Sequence, residues 1–280
     1  MADDEYLNSI LKWREEMDAN LRRENDWLAA AGLFWLRKGF NTFGSSRDCD
    51  IRFPKPMPLL MGAFEFDGTT VTLGLSIGQR AEVNGQTVQS STVLKDDLED
   101  SPSFVKFGAL CAVVVRRAER IGIRLWDNSR PQRRDFPPRV WFPADEKFLV
   151  PALFTPYPIP TKVKMPNVFG EMEDNYLQGY VLFRLERNSY QLHATELEDG
   201  CLYLQFKDLT SEKNTYPYGR YLYTEAMKDD GQVLLDFNKA YNPPSAFTQY
   251  AICTFAPKIN RLKGPIEAGE MYLKGNQEKR

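Results

Sequence analysis

Residues that can bind or react with a small molecule recur among turn-forming residues in the last third of the chain. These residues are small and polar, aromatic, or charged. Glycines, asparagines and prolines lie between them in the sequence. Because turn-forming residues mark loops, and loops on a rigid scaffold carry many binding residues, we expect one surface built from several loops. The predicted binding residues are Asp208, Thr210, Thr215, Tyr216, Arg220, Asp236, Asn238, Tyr241, Asn242, Glu267 and Glu270, with Arg134 further upstream.

The charged members of this set indicate a site for a small anionic or polar molecule. Arg220 offers a planar fork of five hydrogen-bond donors that suits a carboxylate or a phosphate. Four carboxylates can accept hydrogen bonds, and any two of them that lie close together can share a proton. They are Asp208, Asp236, Glu267 and Glu270. The first hypothesis is therefore a pocket for a small anionic molecule, with acid–base chemistry by carboxylates.

A second hypothesis gives the same residues a purely structural role. Arg220 then pairs with Asp208 or Asp236 to hold strands together, and the asparagines and prolines fix turns. In that case the chain is a scaffold or a protein-interaction module that binds a partner chain through loops or a sheet edge. If the charged residues meet in one concave site with unpaired donors, the pocket is favoured; if they pair off beneath packed side chains, the scaffold is favoured.

Tyrosines are concentrated in the same region and can line a pocket with apolar ring faces and polar tips. Tyrosines of a strand core are the alternative. In the predicted strand around Arg220, that residue and Leu222 point to one face while Tyr221 and Tyr223 point to the other, so only one pair lines the interior. The tyrosines concerned are Tyr216, Tyr218, Tyr221, Tyr223, Tyr241 and Tyr250.

Several chemistries are disfavoured by what the sequence lacks. The one histidine, His193, excludes a metal site with two imidazoles and lies in a predicted strand, where a structural or exposed role is expected. No glycine-rich nucleotide motif and no Gly-x-Ser-x-Gly is present. A magnesium or calcium site made of carboxylates alone is conceivable, but nothing in the spacing demands it, so we expect no metal, and the sequence leaves the cofactor unknown. Its ligands would be Asp208, Asp236, Glu267 and Glu270.

The four cysteines are widely separated and form no Cys-x-x-Cys pair, so neither zinc nor a disulfide framework is supported. We expect reduced thiols that are mostly buried. They are Cys49, Cys111, Cys201 and Cys253.

Composition narrows the class of protein. The chain is 42% hydrophobic and 26% charged with a net charge of −2, which favours neither nucleic acid nor an anionic membrane as partner. No run of about eighteen apolar residues occurs, and the acidic N-terminus lacks the features of a secretory signal. These observations predict a cytoplasmic protein whose partner is a small anionic molecule or another protein.

The N-terminal half is predicted to begin with an amphipathic helix over residues 5–31, within a helical segment at 1–39. Hairpin signals follow at Asp67-Gly68 and Asn84-Gly85, each between short alternating segments. With a further strand pair around residues 110–126, they predict a small β-sandwich over 40–127.

The second half is also predicted to be mainly β. Residues 128–139 combine three prolines with four arginines and are interpreted as a connection between domains, with its arginines in solvent or with one of them binding an anion. Hairpin signals recur at Asp199-Gly200 and Asp230-Gly231. The domain at 140–280 is therefore predicted to be an antiparallel curved sheet or partial barrel, followed by an irregular tail.

Residues 40–126 resemble a forkhead-associated β-sandwich. The resemblance rests on Asn41-Thr-Phe-Gly-Ser-Ser-Arg-Asp-Cys-Asp-Ile, Glu82-Val-Asn-Gly85 and Leu94-Lys-Asp-Asp. It implies a domain that binds phosphothreonine through a Ser-Arg-x-His type of loop. The interval from Lys55 to Phe64 has no serine, arginine or histidine, so we expect this sandwich to act as a scaffold rather than to bind phosphopeptides.

A longer resemblance spans nearly the full chain. Its motifs are Trp27-Leu with Gly32-Leu-x-Trp-Leu, Arg134-x-Phe, Trp141-Phe-Pro, Phe206-x-Asp-x-Thr, Thr215-Tyr-x-x-Gly-Arg, Asp236-Phe-Asn-x-Ala-Tyr-Asn-Pro-Pro, Asn260-x-Leu and Ile266-Glu-Ala-Gly-Glu. This ordered set resembles a bacterial and archaeal domain-of-unknown-function family. Relatives often carry a cysteine where this chain has Ser245, so a thiol nucleophile at that position is not required here.

Overall fold

The structure, a computed structural model, describes residues 2–272 and divides them into two compact units. The terminal unit combines residues 2–21 with 137–272, and the central unit comprises residues 22–136. As predicted, the chain is mainly β, with an N-terminal helix, several sheets and a C-terminal curled sheet. Within the described residues, no helix is both long and apolar enough to cross a membrane.

Helix α1 spans Ala2–Leu21, so the predicted helix over 5–31 ends ten residues early. Two local features replace its C-terminal part. Asn25 adopts a left-handed backbone conformation, and the carboxylate of Asp26 accepts a hydrogen bond from the Trp27 amide to begin a short 3₁₀ turn. Residues 30–35 then pair as a strand, because hydrogen bonds with a neighbouring strand outweigh their helical spacing.

The central unit is a β-sandwich of eleven strands and one short helix. The strands are β1 (Ala30–Trp35), β2 (Gly39–Gly44), β3 (Ile51–Arg52), β4 (Gly62–Phe66), β5 (Val71–Leu75), β6 (Ala81–Val83), β7 (Gln86–Val88), β8 (Ser91–Leu94), β9 (Val105–Phe107), β10 (Leu110–Arg117) and β11 (Arg120–Asp127), and the helix is α2 (Pro131–Asp135). One sheet has the order β1-β11-β10-β9-β6-β7, and the other β3-β2-β4-β5-β8. Their inner side chains form one hydrophobic core. The hairpins predicted at Asp67-Gly68 and Asn84-Gly85 are confirmed.

The predicted connection at 128–139 contains α2, and the boundary between the units falls inside it, after Phe136. One interpretation placed its four arginines in solvent, but three of them, Arg130, Arg133 and Arg139, are partly or largely buried. The guanidinium of Arg130 donates to the Ala30 carbonyl at 2.6 Å, and that of Arg133 donates to the Arg22 carbonyl at 3.0 Å. Arg134 is exposed and pairs with the neighbouring Asp135.

We expect brief digestion with trypsin to cut first after Arg134. Four of the five residues of α2 are exposed, and so short a helix opens readily to reach a protease. Mass spectrometry of the first fragments checks the position, and Arg134→Gln should slow this cut. A first cleavage between residues 180 and 240, with 128–139 intact, would show that the boundary lies elsewhere.

The terminal unit adds one six-stranded sheet to α1. Its strands are β12 (Leu149–Pro166), β13 (Met172–Leu185), β14 (Asn188–Glu196), β15 (Leu202–Phe206), β16 (Arg220–Tyr223) and β17 (Gln232–Asp236), in the order β16-β15-β14-β13-β12-β17. The sheet curls around a core that includes Val181, Leu192, Leu204 and Phe206. Long irregular segments that follow β15 and β17 supply most of the predicted binding residues.

One predicted hairpin of this sheet is wrong. Both strands that flank Asp230-Gly231 form, but β16 pairs with β15 while β17 pairs with β12, at opposite edges of the sheet. The segment between them crosses from one edge to the other, and the Met227 amide donates to the Gly200 carbonyl on the way. Because β17 buries Val233 and Leu235 against the core beside β12, this long-range pairing is favoured over the local turn.

Candidate functional site

Arg220 and Asp208 form a fully buried ion pair, with 2.8 Å between Arg220 Nη2 and Asp208 Oδ2. The guanidinium also donates to the carbonyls of Ala268 and Ile266, and the ring of Phe206 packs 5.2 Å from it. Asp208 lies in one loop and the two carbonyls lie in another, so Arg220 links its own strand to two loops. The predicted alternation is confirmed, since Arg220 and Leu222 face the interior. The pairing is that of a structural residue rather than of an open anion site.

Two threonines complete this buried cluster. Asp208 Oδ1 accepts from the Thr210 amide at 2.7 Å and from its hydroxyl at 2.6 Å, and the hydroxyls of Thr210 and Thr215 lie 2.9 Å apart. Both threonines are buried. The carboxylate of Asp208 is therefore satisfied by an arginine and a loop, and these predicted binding residues come together as a structural cluster.

Asp236 and Asn238 anchor helix α1. Asp236 Oδ1 accepts from the Tyr6 hydroxyl at 2.8 Å, and the amide side chain of Asn238 donates to the same hydroxyl at 2.9 Å and to the Asp145 carbonyl at 2.9 Å. Burial, and next the hydrogen bond to Asp236, raise the pKa of Tyr6 far above its ordinary value. These two predicted binding residues thus have protein partners.

Glu270 is the predicted residue whose setting differs most from that of a surface carboxylate. It is 2% exposed, and its carboxylate accepts from the Asn242 amide at 2.8 Å and from Arg139 Nη1 at 3.3 Å. Burial raises the pKa of Glu270 to about 7, although Arg139 and Asn242 oppose the shift. A carboxyl group with this pKa is substantially populated in both protonation states at neutral pH.

The backbone brings Glu270 to this position through a close approach at Gly269. Gly269 has a φ of +77°, and a Cβ there would lie 2.4 Å from the Ala240 carbonyl oxygen. Any larger residue would push the chain away from Ala240, to whose carbonyl the Glu270 amide donates at 2.8 Å. The glycine of the Ala-Gly-Glu motif is therefore needed to place the Glu270 carboxylate within hydrogen-bond distance of Asn242.

Arg139 is a site residue that we did not predict. Its buried side chain lies between Glu270 and Asp18, which is 3.4 Å away, and the guanidinium packs 4.9 Å from the ring of Phe247. Of the arginines of segment 128–139, the predicted binding residue is Arg134, which is exposed and pairs with Asp135. The feature of the sequence that indicates Arg139 is its position two residues before the Trp141-Phe-Pro motif.

Asn242, whose backbone amide donates to Glu270, also carries a buried side-chain acceptor. Its side-chain nitrogen donates to the Met271 carbonyl at 3.0 Å, which fixes the orientation of the amide. The side-chain oxygen is buried and accepts no hydrogen bond from the described residues, and the residue is 3% exposed. An unpaired buried carbonyl of this kind is rare in proteins, because a buried oxygen is normally paired with a hydrogen-bond donor.

Aromatic rings flank these polar groups. The ring of Tyr241 lies 6.0 Å from that of Tyr221 and 6.5 Å from that of Trp13, whose ring in turn meets Trp141 edge-on at 5.6 Å. Burial, and next the nearby Tyr223, raise the pKa of Tyr241, so its phenol stays protonated. We call Arg139, Tyr241, Asn242 and Glu270 the Glu270 site.

The two remaining predicted residues lie elsewhere. Tyr216 is buried, and its hydroxyl donates to the Ser245 carbonyl at 3.0 Å and lies 3.2 Å from the Ser245 hydroxyl. Ser245 is thus part of the packing around Tyr216. Glu267 is exposed and lines a cavity whose lining includes no residue of the Glu270 site. The predicted set therefore divides into a structural cluster, a helix anchor, the Glu270 site and three separate positions, Tyr216, Glu267 and the exposed Arg134.

The single histidine has the structural role expected of it. His193 is buried in β14, its Nδ1 contacts the Tyr157 hydroxyl, and its backbone amide donates to Asn260 Oδ1 at 2.7 Å. Burial lowers the pKa of His193, which keeps the ring neutral. Among residues 2–272, no group of three or more histidine, cysteine or acidic side chains is arranged to hold a metal ion. Cys111 and Cys253 are buried thiols, and Cys49 and Cys201 are partly exposed.

Comparison with known proteins identifies the second half of the chain. Residues 134–271 match the model of the family described as protein of unknown function (DUF1684), and this part of the chain is a domain of that family. The chain is also similar to an uncharacterized protein of Haloarcula marismortui solved by NMR, at 28% identity over 51% of this chain and 80% of that one, with a TM-score of 0.42. No curated protein matches. The likeness of the central unit to forkhead-associated domains stays a prediction.

Proposed function

We propose that the DUF1684 domain of this chain binds a small polar or anionic molecule at the Glu270 site and exchanges a proton with it through Glu270. The observation that carries this proposal is the buried Asn242 side-chain oxygen, which accepts no hydrogen bond from the described residues. Leaving such a group unpaired costs about 1–3 kcal/mol. A ligand that donates to this oxygen removes that cost on binding.

The neighbouring groups define which molecule fits. Arg139 supplies a cationic donor beside Glu270, and the arginine fork suits a carboxylate or phosphate oxygen. Trp13, Trp141 and Tyr241 supply ring faces for an apolar part. The ligand of this proposal therefore has one hydrogen-bond donor for Asn242, one anionic or polar acceptor for Arg139, and a small apolar surface.

Glu270 adds the chemistry. A general acid or base works best when its pKa lies near the working pH, because both protonation states are then accessible. The pKa of Glu270, raised by burial to about 7, meets this requirement. Protonated Glu270 can donate to the ligand, and ionised Glu270 can accept a proton from it.

The test is a thermal-shift screen of the purified protein with acetate, succinate, inorganic phosphate, glycerol 3-phosphate and acetamide. We expect at least one compound to raise Tm, since a ligand at about a hundred times its Kd stabilises by about 2.7 kcal/mol. Titration of that compound should show at least a tenfold loss of affinity in Glu270→Gln and in Tyr241→Phe. Glu267→Gln, which changes an exposed carboxylate of the same motif, is the matched control and should bind normally.

Two results would overturn the proposal: no compound shifts Tm, or the shifts persist unchanged in Glu270→Gln and Tyr241→Phe. The second candidate function, binding of a protein partner by the central unit, would then be favoured. It is supported by the adjacent side chains of Leu59 and Leu60, which are large, apolar and exposed. Hydrogen bonds from the amides of Ser45 and Ser46 to the carbonyls of Pro58 and Leu59 fix their segment.

A further inference from the structure

A polar cavity of about 620 Å³ lies beside the turn between β13 and β14, and its volume is within the range of small-molecule pockets. Phe148, Leu185 and Leu262, which belong to the core of the terminal unit, form part of its lining. Most of the other lining residues are charged or polar, and none of them belongs to the Glu270 site. We call this pocket, polar with an apolar floor, the turn cavity.

One wall of the turn cavity is an irregular segment near the end of the described chain. From residue 261 to 268, exposed and buried residues alternate, so one side of the segment packs on the core and the other side is in solvent. Arg261, Lys263 and Glu267 are exposed, and all three line the cavity. This wall therefore presents two cations and, four residues beyond the second of them, a carboxylate.

Hydrogen bonds to the buried ion pair hold this wall in place. Arg220 donates to the Ile266 carbonyl at 2.9 Å, and the Ile266 amide donates to Asp208 Oδ1 at 3.3 Å. Next to Asp208, the Leu209 amide donates to the Gly264 carbonyl at 3.3 Å. Because the wall is already fixed by these bonds, a ligand that binds there loses little free energy in ordering it.

The turn between β13 and β14, with the first residues of β14, forms a second wall. Glu186, Asn188 and Tyr190 line the cavity from this side. The two walls meet at Gly264, where an added Cβ would lie 2.1 Å from the Tyr190 hydroxyl oxygen. Among residues 2–272, neither the Asn188 side chain nor the Tyr190 hydroxyl has a hydrogen-bond partner, so both groups are available to a ligand.

The opposite charges of the turn cavity do not pair with one another. Within the part of the chain that the structure describes, Arg261, Lys263, Glu186 and Glu267 form no ion pair, whereas Lys147 pairs with a neighbouring aspartate at 3.2 Å. A ligand with negative charge alone is attracted by the two cations and repelled by the two glutamates. A ligand that carries both charges matches each of them, and such complementarity favours it over singly charged molecules.

We infer that the turn cavity binds a tripeptide through its free termini, with the carboxylate at Arg261 and Lys263 and the ammonium group at Glu267. Lys263 and Glu267 are separated by at most about 14 Å of chain, and an extended tripeptide spans about 10 Å. The side chains of these two residues bridge the difference. The Asn188 amide and the Tyr190 hydroxyl bind peptide groups, and the apolar floor accepts an aliphatic middle side chain.

Isothermal titration calorimetry of the full chain with the peptide Ala-Leu-Ala, in low-salt buffer to limit screening, tests the inference. We expect saturable binding to one site. Two capped peptides separate the contributions of the two termini. N-acetyl-Ala-Leu-Ala lacks the ammonium group and Ala-Leu-Ala amide lacks the carboxylate, and each should bind at least tenfold more weakly than the free peptide.

Variants assign each terminus to its side chains. Arg261→Gln/Lys263→Gln should weaken Ala-Leu-Ala binding at least tenfold and leave the Kd of the amide unchanged, because these cations act on the carboxylate. Glu267→Gln should likewise weaken binding of the free peptide and leave the Kd of the N-acetyl peptide unchanged. Lys164→Gln, an exposed lysine of β12 that does not line the cavity, is the matched control. Glu270→Gln should bind Ala-Leu-Ala as the parent does, which separates this site from the Glu270 site.

The inference is overturned if Ala-Leu-Ala shows no saturable binding up to about 1 mM, or if either capped peptide binds as tightly as the free one. Unchanged affinity for Ala-Leu-Ala in the double variant or in Glu267→Gln would also overturn it. Loss of binding in Glu270→Gln would place the peptide at the Glu270 site and equally contradict the inference.

Discussion

Asp208→Ala is expected to lower the free energy of unfolding by about 3–5 kcal/mol, the largest effect of any single change considered for this protein. Arg220 is fully buried, and Asp208 is the carboxylate within ion-pair distance of it. Removing that carboxylate leaves a charge in the interior without its counter-ion and releases the loop bonded through Thr210. Urea unfolding at pH 7, followed by circular dichroism, measures the change.

A double variant and an exposed control make this prediction specific. Asp208→Ala/Arg220→Met removes both charges and should recover part of the lost stability, because a buried pair is often replaceable by apolar side chains. Asp135→Ala breaks an ion pair that lies in solvent and should not move Tm measurably. A loss below about 1 kcal/mol in Asp208→Ala would mean that the pair is not a structural one.

Glu270→Gln is expected to remove a pH dependence of stability. The pKa of Glu270 is raised from its ordinary 4.5 to about 7 in the folded chain, so the folded state binds the proton more tightly than the unfolded state. This contribution to stability is complete below pH 4.5 and is lost as the pH rises through 7. The parent should therefore lose about 3 kcal/mol relative to Glu270→Gln between pH 4.5 and pH 7.5.

Urea unfolding of both proteins at a series of pH values measures this difference, and other titrating groups cancel in the comparison. Glu267→Gln, an exposed carboxylate of the same loop, should follow the parent across the whole range. A constant difference between Glu270→Gln and the parent from pH 4.5 to pH 7.5 would contradict a raised pKa. A difference of opposite slope would mean that Arg139 outweighs burial.

Local signals in the sequence predicted much of the fold. Two-residue turns such as Asn84-Gly85 specify both a hairpin and its register, so the pairing of β6 with β7 follows from the local sequence. The turn at Asp230-Gly231 carries the same signal, yet its flanking strands pair with distant partners. Such pairing depends on which apolar faces the core can cover, and a local pattern contains no information about that.

The site was predicted less completely, for a related reason. The residue types identified Glu270 and Asn242, but their setting depends on Arg139, which lies 131 residues away in the chain. Arg220 illustrates the converse. Its guanidinium suits an anion, and only the contacts with Asp208, Ile266 and Ala268 show that protein groups already occupy it. Residue chemistry restricts the possible roles, and long-range packing selects among them.

The central claim is that Glu270 exchanges a proton near neutral pH at a ligand site. The most direct measurement is an NMR titration of the protein labelled with ¹³C at glutamate carboxyl groups, with the Glu270 resonance assigned by its absence in Glu270→Gln. We predict a midpoint near pH 7 for this resonance, which shifts when the compound found in the thermal screen binds. A midpoint at or below the ordinary value of 4.5, unchanged by that compound, would contradict the claim.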